Sequence, residues 1–234
     1  MKRFWIFFIW ELIFLNTIFL QALPAEVERN EAKLLLASSV LEEINQAPDQ
    51  AIPFNLLQDC SAVGVFPSLK KGGYIVGAQF GKGVFTHRDP KSGKWSPPVF
   101  FKIMGASFGL QFGFEEVDLV LIFTSDRAFQ NVLERGVTVG VSLAATAGPV
   151  GRDTSRSNSL SDRDAIYAYS RSQGLFAGAT LSGTQIAYDY DATKEFYGDA
   201  YSAEMILLEN QIPPAKVPKL AAHFLETLLK YTNT

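Results

Sequence analysis

Cysteine is almost absent from this chain. The one thiol, Cys60, has no partner for an internal disulfide, so stability must come from packing alone and Cys60 reads as a small core residue. Histidine is nearly as scarce: His87 and His223 stand far apart, with no cysteine or carboxylate at ligand spacing. That excludes the usual metal-binding patterns and leaves both as structural residues. Beyond residue 25 no apolar run approaches membrane-spanning length. With 47% hydrophobic and only 19% charged residues, wholesale disorder is excluded too.

Catalytic signatures are also missing. Gly81-Lys82-Gly83 has neither the preceding glycine at Walker spacing nor the following Ser or Thr, so no phosphate loop is present. Gly105-Ala106-Ser107-Phe108-Gly109 matches the G-x-S-x-G pattern by letter. A nucleophile elbow needs a helix directly after its serine, whereas Leu110 to Phe114 reads as strand and neither histidine is an evident partner. Ser107 is therefore read as a strand residue, and a binding protein without catalytic residues, metal, cofactor or nucleic-acid partner is expected.

What is present begins with an export signal. Met1-Lys2-Arg3 precedes a run from Phe4 to Leu20 that is apolar except for Glu11, Asn16 and Thr17, and Gln21-Ala22-Leu23-Pro24-Ala25 supplies a small-residue exit. This pattern predicts a signal peptide over residues 1–25, with cleavage offered after Ala22 or Ala25 and the polar turn at Glu26 favouring Ala25. Glu11 would be costly in a retained membrane anchor. Residues 26–234 are then expected as one domain in the periplasm or extracellular space, peripheral to a membrane if attached to one.

Charge is unevenly spread. Residues 26–60 carry two basic and seven acidic groups, residues 61–114 seven and one, and residues 115–234 ten and fifteen. The middle stretch is a cationic zone of Lys70, Lys71, Lys82, Arg88, Lys91, Lys94 and Lys102, several of them at turn sequences and therefore expected at the surface. A long polar loop from Gly148 to Asp164 adds Arg152 and Arg156, whose guanidinium groups are suited to phosphate. Glu115-Glu116 reads as a solvated turn and Asp189/Asp191 as a helix cap.

Helical spacing predicts a first helix over Val27 to Ile44 and a short one at Phe54–Cys60. Strands are expected at Ala62–Phe66, Gly73–Phe80, Gly83–His87, Val99–Ile103, Ser107–Phe114, Val117–Phe123, Val137–Leu143, Ala165–Ser170, Leu175–Leu181 and Thr184–Tyr190. Tyr167 with Tyr169, and Tyr188 with Tyr190, should share sheet faces. A helix is expected at Asp126–Arg135. The last runs from Val217 through Leu229, introduced by Pro213-Pro214. Glycines at Gly73, Gly77, Gly81, Gly83, Gly105, Gly109 and Gly113 imply sharp coiling or close backbone approach. The expected class is α+β: a strongly coiled antiparallel β-sheet, or a closed barrel-like core, packed with N-terminal and C-terminal amphipathic helices.

Several of these stretches together resemble the SYLF-domain family: Gly72 through Gly83, the Gly105–Gly113 strand, Gly148-Pro149-Val150-Gly151-Arg152, and Ile166 through Gly178. The resemblance runs from about Leu34 to Leu208. It implies binding of phosphoinositides or other anionic lipids, with actin assembly as the activity of some eukaryotic members, and identifies this chain as an exported, bacterial-type member. Two departures stand out. Ser142 occupies a position where the family has an acidic residue before Gly-Pro. Residues 26–45 hold five acidic and two basic groups, so the first helix would be repelled by anionic lipid and should dock on the domain's own core. The lipid-binding residues are then expected among Lys70, Lys71, Lys82, Arg88, Lys91, Lys94, Arg152 and Arg156, with a protein-interaction or envelope-structural module as the alternative.

Overall fold

The computed structural model describes residues 25–47, 51–73, 76–108, 113–138, 145–147, 166–170 and 183–232. Eight strands form one sheet: β1 (Ala62–Gly73), β2 (Val76–His87), β3 (Val99–Phe108), β4 (Gly113–Phe123), β5 (Val137–Thr138), β6 (Ala145–Ala147), β7 (Ile166–Ser170) and β8 (Thr184–Tyr188). Their order is β5-β8-β3-β2-β1-β4-β7-β6. All neighbours pair antiparallel except β6 and β7, which are parallel. Among the described residues six α-helices accompany the sheet: α1 (Ala25–Gln46), α2 (Phe54–Asp59), α3 (Asp126–Arg135), α4 (Tyr190–Tyr197), α5 (Ala203–Leu207) and α6 (Lys219–Thr232).

Alternation along the strands creates a core on each face. Val63, Val65, Val84, Phe100, Val120 and Ile122 point to one side, where they meet Leu34, Ala37 and Leu41 of α1, Leu56 and Leu57 of α2, and Phe224 and Leu228 of α6. Phe66, Phe85, Phe101, Leu121 and Phe123 point to the other, against Phe129 and Val132 of α3 and Ile206 of α5. Phe85 is the hub of the second core, edge-on to Phe101 at 4.8 Å and to Phe123 at 5.4 Å. Each such ring contributes about 2–3 kcal/mol by burial, and edge contacts add to that.

The α+β class stands, but the sheet is open, not closed: β5 and β6 lie at its two ends. Helices on both faces take up the apolar surface that a barrel would turn inward. Gly81-Lys82-Gly83 does not separate two strands, since both glycines stay in register with β3 and β2 runs unbroken. The expected strand Ser107–Phe114 divides instead: Ser107 belongs to β3, paired with Gly77, while Gly113 and Phe114 open β4 on the far side of β1. Only Val137–Thr138 of the expected Val137–Leu143 strand is described, and Leu175–Leu181 and Ser142 lie outside the described residues. Tyr190 begins α4, so it does not share a sheet face with Tyr188, and Tyr169 is buried at 5% exposure.

Helix α1 docks on the core, as its acidic composition required. Leu34, Ala37, Val40, Leu41 and Ile44 are buried, and Glu42 meets Lys230 of α6 at 2.9 Å. Cys60 is buried, and the desolvation pushes its thiol up to about 12, which removes it as a nucleophile at neutral pH. Among the described residues no helix is long and apolar enough to cross a membrane.

Candidate functional site

A bulge in β1 decides which cations share a face. The register against β4 shifts between Phe66 and Leu69, with Ser68 at φ 54° and its N–H donating to Asp118 Oδ1 at 2.9 Å. An extra residue reverses the parity of everything after it. Lys71 thus follows Leu69 to the Phe85 side and is buried, and that burial lowers its pKa. Lys70 turns to the opposite face, the one α1 and α6 cover further along.

Beyond those helices no described residue covers this face. Cross-strand pairs place Lys70 beside Phe80 and Glu116, Phe80 beside Met104, Lys82 beside Lys102, and Phe114 beside Gly72. Phe80 is 47% exposed, Met104 39% and Phe114 97%. Lys70 forms a long ion pair with Glu116 at 3.7 Å. Lys102 has no ion pair among the described residues.

At the margin of this face lies a cavity of about 350 Å³ lined by Arg29, Asn30 and Lys33 of α1, Lys82 of β2, and Asp189, Asp191, Ala192 and Glu195 at the start of α4. Asp189 is 3% exposed and its Oδ2 lies 2.7 Å from Lys82 Nζ. It sits at the N-cap position of α4 without capping it. The carboxylate is turned to Lys82 instead. Asn30 Nδ2 donates to Ala192 O and to Glu195 Oε2, both at 3.4 Å, fixing α1 against α4. Lys33 has its pKa lowered, first by burial and then by the neighbouring Lys82, with Asp189 opposing.

The predicted cationic zone is therefore divided. Lys70 and Lys82 share the uncovered face and Lys71 is buried on the other side. Arg88, Lys91 and Lys94 occupy the β2–β3 turn, about 20 Å along the strand from Lys82. There Arg88 donates to the Gln58 and Gly93 carbonyls and lies over the Trp95 ring at 5.8 Å. Asp89 organises the turn by accepting from Ser92 Oγ at 2.7 Å and Lys91 N at 2.9 Å, which hold its carboxyl below the usual range. Arg152 and Arg156 lie outside the described residues. Lys33 and Asp189 were missed because each reads as an ordinary helix-face or cap charge, and only α1 packing against both β2 and α4 brings them together.

The Lys82–Asp189 pair has a measurable consequence. Removing one partner of a buried pair costs about 3–5 kcal/mol. Lys82 is 41% exposed, so water shares the burden and Lys82→Ala is expected to cost about 1–2 kcal/mol. Asp189→Asn is expected to be nearly neutral. Urea denaturation of both variants checks the difference.

An open, bulged sheet between two helical layers, with a charged cavity at its margin, defines an α+β domain. The chain belongs to the Ysc84 family, described as Las17-binding protein actin regulator, whose pattern matches residues 104–231. It is similar to LAS seventeen-binding protein 3 of Saccharomyces cerevisiae, 35% identical over 196 residues, covering 82% of this chain and 42% of the yeast protein. Protein YSC84 of the same yeast is 34% identical over 197 residues, with coverage of 82% and 42%. SH3 domain-containing YSC84-like protein 1 of Homo sapiens is 31% identical over 211 residues, covering 88% of this chain and 60% of the human protein. The chain thus spans roughly half the length of these relatives.

Proposed function

We propose that this chain is an exported, non-catalytic module that binds anionic membrane surfaces peripherally, using the uncovered face of β1 to β4. The observation that carries the reading is the combination on that face of exposed Phe80, Met104 and Phe114 with Lys70, Lys82 and Lys102. Soluble proteins rarely leave contiguous large apolar side chains in water without a partner for them. Aromatic rings flanked by lysines suit the boundary between headgroups and acyl chains, and each cation near an anionic surface adds about 1 kcal/mol. Of the residues expected from sequence to bind lipid, Lys70 and Lys82 stay in this account, and Lys102, Phe80, Met104 and Phe114 join them.

Flotation of the purified protein with neutral and anionic vesicles tests the proposal. Wild type is expected to float with anionic vesicles and to be released by salt. Phe114→Asp and Lys102→Glu should each weaken binding about tenfold, while Lys94→Glu, at the distant turn, should leave it unchanged. Unaltered flotation in both face variants would remove this face from the account. A protein partner is the second reading, favoured by the actin-regulator and Las17-binding descriptions carried by the relatives. Absence of flotation together with stoichiometric co-purification of one protein, lost in Phe114→Asp, would establish it instead.

A further inference from the structure

Seven large apolar side chains stand exposed among the described residues, and five of them fall on two surfaces: Leu35 and Leu36 on α1, and Phe80, Met104 and Phe114 on the uncovered sheet face. Helix α1 buries Leu34, Ala37, Leu41 and Ile44 beneath it, so Leu35 (46% exposed) and Leu36 (50% exposed) point away from the domain, with exposed Ala32 and Ser39 on the same side. That outward side is rimmed by acids. Glu28 and Glu43 are exposed and Glu31 partly so, against one arginine, Arg29, at the margin that lines the cavity. The sheet face has the opposite rim: Lys70, Lys82 and Lys102 surround the apolar residues against one acid, Glu116, and Lys102 has no ion pair among the described residues. We infer that the two surfaces are partners, the outward side of α1 in one copy docking on the uncovered sheet face of a second copy.

Layering supports this pairing as well as charge. The remainder of the same sheet face is covered by helices α1 and α6, so what the exposed part lacks is a further helix, and α1 is a helix with an unburied apolar stripe. Joining the two surfaces takes out of water five large apolar side chains that a lone copy leaves exposed. Symmetric contacts are disfavoured electrostatically: α1 against α1 sets acid against acid, and sheet face against sheet face sets lysine against lysine. The remaining arrangement is heterologous, each copy contributing a different surface, so the contact propagates into chains or closes as a ring. One helix on one patch falls at or below the low end of the about 1,200–2,000 Å² buried in stable complexes. The association is therefore weak, with monomer at about 1 μM and oligomer at about 100 μM.

The contact uses the face assigned above to membranes without depending on that assignment. Sedimentation equilibrium of the purified protein tests it, with a mean mass expected to rise with concentration and to fall when salt is raised. Leu35→Gln/Leu36→Gln keeps strong helix formers on α1, and Phe114→Asp changes only the sheet face. Each is expected to weaken association about tenfold. Both alter exposed positions, so both should melt within about 4 °C of wild type, which excludes misfolding as the cause. An equimolar mixture decides the geometry. The first variant retains the sheet face and the second retains α1, so together they should form a species of two chains, and nothing larger, at the strength of the wild-type contact. Wild-type self-association in either variant alone, or a mixture no heavier than its components, overturns the heterologous contact. A wild type that stays monomeric at about 100 μM overturns the assembly. The membrane reading is judged separately, by flotation: Leu35→Gln/Leu36→Gln leaves the sheet face intact and should float as wild type does or better, because assembly no longer competes for that face.

Discussion

Gly83→Val is expected to leave the chain without a cooperative unfolding transition. A Cβ at Gly83 would overlap the carbonyl oxygen of Val65 and come within 2.5 Å of Phe66 Cδ1. Neither can yield. The carbonyl belongs to the β1 backbone, which pairs with β2 and β4. Phe66 is wholly buried beside Phe85, 5.5 Å between centroids. The β1 register against β2 also shifts between Val65 and Lys70, and it is beside this stretch that the β1 carbonyl crowds Gly83. A valine would have to push the two central strands of the sheet apart. Overpacking a tight core costs about 1–3 kcal/mol, and a clash against paired backbone costs more, exceeding about 4–5 kcal/mol. Total stabilities are only about 5–15 kcal/mol. Thermal unfolding followed by circular dichroism, with the buried Trp95 as a fluorescence reporter, would show a broad or absent transition. A sharp wild-type-like transition would mean that the strands tolerate the side chain.

That glycine illustrates how far the fold could be read in advance. Interior glycines needed a close backbone approach, and Gly83 has one. Helices α3 and α6 were legible because their apolar spacing is strong; the expected start at Asp126 holds for α3, whereas Pro213-Pro214 opens a separate 3-10 turn over Pro214–Lys216 and α6 begins at Lys219. The docking of α1 followed from its acidic residues. The closed barrel was not legible as wrong: glycine-rich coiling is equally compatible with an open sheet whose faces helices cover.

The candidate site was legible in composition and opaque in geometry. The cationic stretch of residues 61–114 is real, but a single bulge at Ser68 separates Lys70 from Lys71 and sends one to solvent and the other inside. Strand parity counted from Phe66 would have exchanged them. Phe80 and Phe114 fell at the ends of expected strands, where nothing in the sequence separates an exposed aromatic ring from a buried one. Their exposure depends on where the covering helices stop, which no local pattern encodes. Asp189 looked like a cap because it immediately precedes α4, and its bond to Lys82 depends on two strands that are not neighbours in the sheet.

His87→Ala is expected to lower stability by about 3–4 kcal/mol, the second largest effect of any single change considered. The ring is 2% exposed and lies flat on Phe129, 5.1 Å between centroids and 8° between planes. Its Nδ1 lies 3.0 Å from the Leu207 carbonyl and its Nε2 2.6 Å from Asp126 Oδ1. A carbonyl can only accept, so Nδ1 carries a proton. One side chain thereby joins the end of β2 to the first turn of α3 and the last residue of α5. Alanine removes the stacked ring and leaves the Leu207 oxygen without its donor. His87→Phe restores the stacking alone and should recover about half of the loss, separating packing from hydrogen bonding. Asp126 is 36% exposed, and Asp126→Ala should cost only about 1 kcal/mol because water can replace it. The double mutant measures the coupling directly, expected at about 1–2 kcal/mol. Urea unfolding at neutral pH supplies all four values. If the proposed face binds membranes, vesicle binding by whatever fraction remains folded should be unchanged, since His87 points to the opposite side of the sheet. A His87→Ala variant as stable as wild type would show that the three elements hold together without this residue.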